Sequence, residues 1–405
     1  DPKFYVLNTS LLWTSPYNEY RPEGRTVKAY SIQDNANWIK GRHSVSFGIQ
    51  ANIWRNPSDG YSGTIPSYTI GYSVDSPYGF NVGDIPGANA TFTGTANNLL
   101  ASLAGIVSGA QQTFNVKDRT SGFVPGAPAL QNMQMSNLAP YITDTWKVNR
   151  RLTVVAGIRW EYFSPVTERD SLTVQPRVAS GNPVEALLGN ATLDFAGNSV
   201  GRPLYKKDLN NFAPNFGFAW DVFGDGRTSV RGGYSIAFAN DNNINTVYNV
   251  GSVNNGLFST ISLGDLNAIV SKNLPSVPVP KFQLPTTSKA QFDISPDSPP
   301  VQGLMSPDLA TPYVQQWNLG IEREWQGFVF SGRYVANHAV KQFRLIDFNQ
   351  INVKQGGFLD DFKRAQNNGF LALAAGRGFD PRYNANIAGS QRLPFFDKIE
   401  GGGYL

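Results

Sequence analysis

Ser44-Val45-Ser46-Phe47-Gly48-Ile49-Gln50-Ala51-Asn52-Ile53-Trp54 alternates between apolar and polar or small residues. In an extended chain successive side chains point to opposite faces. Val45, Phe47, Ile49, Ala51 and Ile53 therefore share one face, and Ser46, Gly48, Gln50 and Asn52 the other. Just before this stretch stands the tight segment Lys40-Gly41-Arg42-His43, preceded by a second extended stretch, Val27–Ile39. The pair predicts a β-hairpin.

The unit recurs. Leu138–Trp146 and Leu152–Tyr162 flank residues 147–151, and Phe212–Val222 and Thr228–Phe238 flank Gly224-Asp225-Gly226. Tyr313–Arg323 and Phe328–Ala336 flank Trp325-Gln326-Gly327. The opposite connections, Phe163–Asn211, Ala239–Pro312 and the segment from Asn337 onward, are rich in Pro, Asn, Gly and Ser. Some reach about 50 to 70 residues, far beyond the connections of compact domains. Short turns at one end and long loops at the other is the asymmetry of outer-membrane barrels, whose short turns face the periplasm. Ala239–Thr311 and Asn337–Leu405 are accordingly expected outside the cell. Val45, Phe47, Ile49, Val154, Ile158, Phe218, Val230, Ile236 and Leu319 are expected to face lipid.

Composition agrees. Of 405 residues only 16% are charged, against about 25% in soluble domains. Aromatics reach 13%, yet the mean hydropathy is −0.28. No apolar run of about 18 residues exists, which excludes a transmembrane helix. A wall showing alternate residues to lipid and to a polar lumen averages near neutrality. The net charge of +4 is dispersed, so no basic block suggests nucleic acid as a partner, and the absence of cysteine removes disulfides and thiolate metal sites. The chain opens Asp1-Pro2-Lys3 without a signal peptide, so an export signal is expected to be cleaved or to lie outside it.

Tryptophan prefers the membrane interface, so two belts are expected. Trp38, Trp146, Trp220 and Trp325 lie near short turns; Trp13, Trp54 and Trp160 lie near the opposite strand ends, and Trp317 is mid-strand. Two loop helices are predicted, Asn97–Ala104 ending at Gly105, and Phe358–Leu373, which should pack on its own loop.

The residues resemble the Oar-like family of TonB-dependent transporters, of the acidobacterial and myxobacterial type. The resemblance is carried by Gln33-Asp34-Asn35 with Lys40-Gly41-Arg42-His43-Ser44, by Tyr141-Ile142-Thr143-Asp144-Thr145-Trp146-Lys147 with Leu152-Thr153, and by Asn211 through Asp221. It continues in Gly226 through Tyr234, Gln315-Gln316-Trp317-Asn318-Leu319 and Gly357 through Gln366. The ordered set spans nearly the whole chain.

The resemblance implies a carboxypeptidase-regulatory-like N-terminal domain, a plug, a barrel of roughly 22 strands and energy coupling through TonB. No plug, TonB box or terminal aromatic strand is found in residues 1–405. The expected fold is therefore an all-β, antiparallel transmembrane barrel in part: roughly eleven strands, about half the ring, with long extracellular loops. The strands counted beyond the four hairpins are Lys3–Trp13, one within Gly63–Thr93, and Ile106–Asp118. Expected partners are outer-membrane lipid, the rest of the barrel and plug, the TonB complex, and cargo or a surface partner at the loops.

Motifs for chemistry are not found: no H-E-x-x-H, P-loop or G-x-S-x-G occurs. His43 and His338 fall at opposite ends of the expected barrel, and metal sites need clustered ligands. Asp360-Asp361 are helix neighbours facing different directions, and Asp241-Asn242-Asn243 lacks the spaced ligands of a calcium loop. No catalytic, cofactor or metal residue is assigned, and the chain is not read as an enzyme. The candidate functional residues are the charges that alternation turns toward the lumen: Arg159, Glu161, Asp221, Arg231, Glu322 and Arg333. Plug contact or mutual pairing is expected of them before cargo contact, because interior charges must be paired. The alternatives to a TonB-coupled transporter are a passive porin-like or adhesive barrel and, more remotely, a soluble carbohydrate-binding β-protein.

Overall fold

In the computed structural model, the described residues are 5–9, 23–73, 76–178, 191–240, 243–252, 254, 256–272, 274–287, 302–347, 353–354 and 356–398. Among them, eight long strands form four consecutive hairpins. They are β1 (Lys28–Lys40), β2 (His43–Gly60), β3 (Ala129–Lys147), β4 (Leu152–Trp160), β5 (Phe212–Asp221), β6 (Thr228–Phe238), β7 (Tyr313–Trp325) and β8 (Phe328–Val340). Each pairs antiparallel with its sequence neighbours, giving one open sheet in chain order. The turns are short for local reasons. Gln326 and Gly327 both take positive φ, 51° and 81°, the conformation of a two-residue hairpin turn whose twist matches the strands. Asp221 accepts the amides of Gly224 at 2.9 Å and Gly226 at 3.0 Å, closing the β5–β6 turn.

The register gives the sheet two unlike faces. One row runs Phe47, Ile142, Ile158, Pro214, and another Phe218, Gly232, Leu319, Tyr334. The nine residues expected to face lipid all lie on this apolar face, where Phe216 is 50% and Leu319 53% exposed. The opposite face carries rows such as Gly48, Tyr141, Arg159, Ala213 and Gly217, Gly233, Asn318, Val335.

Trp38, Trp146, Trp220 and Trp325 lie on the apolar face at its short-turn end. Tyr30, Trp160, Phe212, Phe238 and Tyr313 lie on the same face toward the long-loop end. Eight residues separate Trp220 from Phe212, roughly 26 Å along the strand, close to the apolar band of about 25 Å. Trp54 departs from the belt expectation: it is on the polar face and packs into a loop core. Trp13 lies outside the described residues.

Three of the eleven expected strands are not in this wall. Val6–Thr9, within the expected Lys3–Trp13, pairs in parallel with Ser67–Ile70. Ser67–Ile70 in turn pairs with Ile106–Val116, and Phe258–Leu263 adds to that strand from a distant loop. The sheet is separate because helix α1 (Ala90–Ala104) packs on it. A core of Tyr68, Ile70, Ala101, Val107, Ala110 and Phe114 fills the contact. Helix α1 is longer than the expected Asn97–Ala104: the Asn89 side chain caps it by accepting the Phe92 amide, and Gly105 ends it at φ 67°. Residues Thr173–Pro176, Thr192–Ala196 and Thr286–Thr287 form a small third sheet, and helix α2 (Asn243–Ser252) packs near it.

The described residues among 343–347, 353–354 and 356–398 belong to a second compact unit. Its helix α3 (Phe358–Ala374) packs on its own loop, as expected, through Phe358, Ala365, Leu393, Phe395 and Phe396. The Asp361 carboxylate is buried, pairs with Arg364 at 2.6 Å and accepts the Phe395 and Phe396 amides. It is thus a structural anchor. Asp241 and Asn242 lie outside the described residues.

Candidate functional site

The polar face of the wall is lined largely by amides and hydroxyls. Tyr141 donates its hydroxyl to Asn35 Oδ1 at 2.7 Å, across β2. Glycine at position 48 permits this, because a Cβ there would stand 2.9 Å from the Tyr141 ring. Ser46 donates to Asn37 at 2.6 Å.

All six candidate charges lie on this face, in two groups. Toward the long-loop end, Arg159 donates to Glu161 at 2.9 Å and to Gln50 Oε1 at 3.0 Å. Toward the short turns, Asp221, Ser229, Glu322 and Ser331 form one register row; Ala219, Arg231, Gly320 and Arg333 form the next. Two acids and two bases thus meet in one patch, with Arg231 and Glu322 paired at 4.0 Å. Asp221 also serves its turn, while Arg333 is exposed on the edge strand β8 opposite Gly320.

One pair on the apolar face escaped the sequence reading. His43 Nδ1 donates to Asp144 Oδ2 at 2.6 Å, and the imidazole stacks on Trp146 with ring centroids 5.4 Å apart. Asp144 interrupts the apolar alternation between Ile142 and Trp146, and that interruption was the available signal. Among the described residues no group of three or more His, Cys, Asp or Glu could hold a metal ion.

At the long-loop end the polar face is covered. Glu168, in a short segment paired with β3, accepts the Asn132 amide at 2.9 Å and the Leu172 amide. Burial raises its pKa above the ordinary carboxylate range, against the lowering effect of those amides.

Strands long enough to cross a bilayer, unlike faces and short turns at a single end define an architecture, and a family model agrees. The model of the outer membrane beta barrel domain matches residues 3–397. The chain belongs to the outer membrane beta barrel domain family. Membership places it in the bacterial outer membrane.

This outer membrane β-barrel chain is similar to solved transporters of the same compartment. The outer membrane transporter YddB from Escherichia coli is 14% identical, with 83% of this chain and 29% of that one covered and a TM-score of 0.37. The alcaligin outer membrane receptor FauA from Bordetella pertussis is 8% identical, with 82% and 36% covered and a TM-score of 0.25. A variant of the ferric enterobactin receptor PfeA from Pseudomonas aeruginosa is 12% identical, with 78% and 43% covered and a TM-score of 0.22. The chain therefore spans about 29 to 43% of the length of these proteins. No curated protein matches it.

Proposed function

We propose that the chain is a wall segment of a TonB-coupled outer-membrane transporter of the Oar-like type, with lipid on its apolar face and the lumen on its polar face. The observation that carries the orientation is the register: large apolar side chains stay exposed on one face, and paired charges and amides collect on the other. The outer edges of β1 and β8 carry no partner strand among the described residues. Unpaired backbone groups cost several kcal/mol each in lipid, so further strands of the whole protein complete the ring. The long-loop end faces the medium, and the patch of Asp221, Arg231, Glu322 and Arg333 meets a plug near the periplasmic side. Support for the coupling comes from the ordered family motifs.

The test uses the full-length protein in planar bilayers and in solution with the periplasmic domain of TonB. Binding of that domain together with the absence of a steady ionic current is expected. A constant open-channel current without TonB binding would show a passive pore instead.

A further inference from the structure

Between its aromatic belts the apolar face carries two carboxylates, Asp34 on β1 and Asp144 on β3. Asp144 has the His43 imidazole as its partner at 2.6 Å. The Asp34 side chain has neither a hydrogen bond nor an ion pair among the described residues, and it is exposed.

The register fixes where Asp34 stands. It lies opposite Ile49, and its neighbour Asn35 lies opposite Gly48. Asn35 accepts the Tyr141 hydroxyl on the polar face. Asp34 therefore projects to the apolar face, between Ile32 and Ala36. Tyr30 and Trp38, on the same face, each stand four residues from it. That is about 13 Å to either belt, so the carboxylate is at mid-depth. A charge against lipid at that depth is costly, and ionisable groups within the membrane are accordingly paired.

No cation of the wall reaches it. Lys28 and Lys40 share its strand and its face, each six residues away, or roughly 20 Å. Arg55 and His43 stand opposite those two lysines, at the same distance along the sheet. Arg323 is on β7, at the far side of the wall. The remaining neighbour of β1 is the strand that would pair with its outer edge, and among the described residues that edge is free. A strand joined there sets one residue directly opposite Asp34, on the same face, with Cβ atoms about 4.5–5.5 Å apart. A lysine or arginine at that position is within ion-pair reach.

We infer that the strand completing the ring beside β1 carries a lysine or arginine opposite Asp34, and that this intramembrane pair fixes the register in which the ring closes. Backbone hydrogen bonds by themselves do not choose among registers. A slip of one residue turns the cation to the lumen, and a slip of two leaves it a diagonal neighbour at about 7–8 Å. The inference rests on the proposed wall, with lipid on the apolar face.

The chain contains no cysteine, so one introduced thiol can carry different charges at one position. Asp34→Cys is placed in the full-length protein, cleared of any other thiol. It is reacted in urea with methyl, sulfonatoethyl or trimethylammonioethyl methanethiosulfonate, which gives a neutral, an anionic or a cationic side chain. Each form is folded into phosphatidylcholine vesicles, and the folded fraction is read from heat-dependent gel mobility across a urea series. The anionic adduct is expected to fold with an equilibrium constant roughly tenfold above the neutral one, and the cationic adduct to fall below both. A neutral adduct that folds as well as the anionic one, or better, would overturn the ion pair. So would a ranking seen only at high protein-to-lipid ratio, which would put the cation on a second molecule. If the adducts fail to fold, Asp34→Glu and Asp34→Asn take their place. Asp34→Glu should hold the wild-type urea midpoint more closely, and the reverse order would overturn the proposal. Leu319→Cys with the same three reagents tests the wall separately. There the neutral adduct should fold best; three equal adducts would show that the apolar face is not against lipid, a failure of the wall reading and not of the pair.

Discussion

Arg159 and Gln50 sit two strands apart, on β4 and β2, yet the guanidinium Nη2 donates to the amide Oε1 at 3.0 Å. The intervening strand β3 presents Ala139 directly opposite Gln50, and Ala139 is fully buried. A small residue between the two strands is what leaves room for the reach. Ala139→Leu is therefore expected to overpack the site at a cost of about 1–3 kcal/mol. Urea unfolding of the solubilised full-length protein measures it, and an unchanged midpoint would count against the packing account.

Glu161 depends on the same guanidinium, since its side chain is 14% exposed and pairs with Arg159 at 2.9 Å. Arg159→Ala leaves that carboxylate without its cation and should cost roughly 1.5–3 kcal/mol. The double variant Arg159→Ala/Glu161→Ala should cost less than the sum of the two single changes, because the residues share one interaction. Additive losses in the same unfolding assay would refute the coupling.

Adjacent residues on β7 offer a direct comparison of faces. Leu319 is on the apolar face and Asn318 on the polar one. Leu319→Arg is expected to lower stability by about 2–4 kcal/mol, the cost of a mid-depth cation in lipid. Asn318→Arg should change it far less. Folding titrations in lipid vesicles decide the matter, and equal losses at both positions would falsify the assignment of the faces.

The β7–β8 turn needs backbone freedom rather than space. Gly327 has φ 81°, and nothing lies within 4 Å of a Cβ added there. Gly327→Ala should therefore cost about 1 kcal/mol through conformation alone. A cost several times larger, read from the same titrations, would mean that an unseen contact fills the turn.

Glu168 carries a pH signature. Burial raises its folded pKa above the ordinary value of 4.5, so proton uptake favours the folded loop. Its contribution is full below about pH 4.5 and is lost as pH rises through the folded pKa. The stability of the wild type relative to Glu168→Gln should accordingly grow as pH falls from 7 toward 4.5, then level off. Thermal unfolding followed by circular dichroism across that range checks it; a difference that shrinks on acidification would reverse the assignment.

By itself the sequence determined the four hairpins, the face of each strand and the side of the molecule that bears long loops. Period-two alternation and turn chemistry are local, so Val45 through Ile53 or Phe212 through Trp220 specify their faces without knowing their neighbours. Trp54 was expected in the interfacial belt because only its height along the strand was weighed; its parity, shared with Gln50 and Asn52, puts it on the polar face instead. Parity also put all six candidate charges on one face. Tertiary structure decided which strands join the wall. Ile106–Val116 and Ser67–Ile70 form a separate sheet because α1 covers them, and alternation cannot tell a face dried by a helix from one dried by lipid. It likewise decided that the loops fold onto Met133 and Met135. Two methionines at alternate positions beside Asn137 were visible in the sequence, but their partners Val166, Leu204, Val247 and Met305 lie far along the chain, and only the folded structure brings them together.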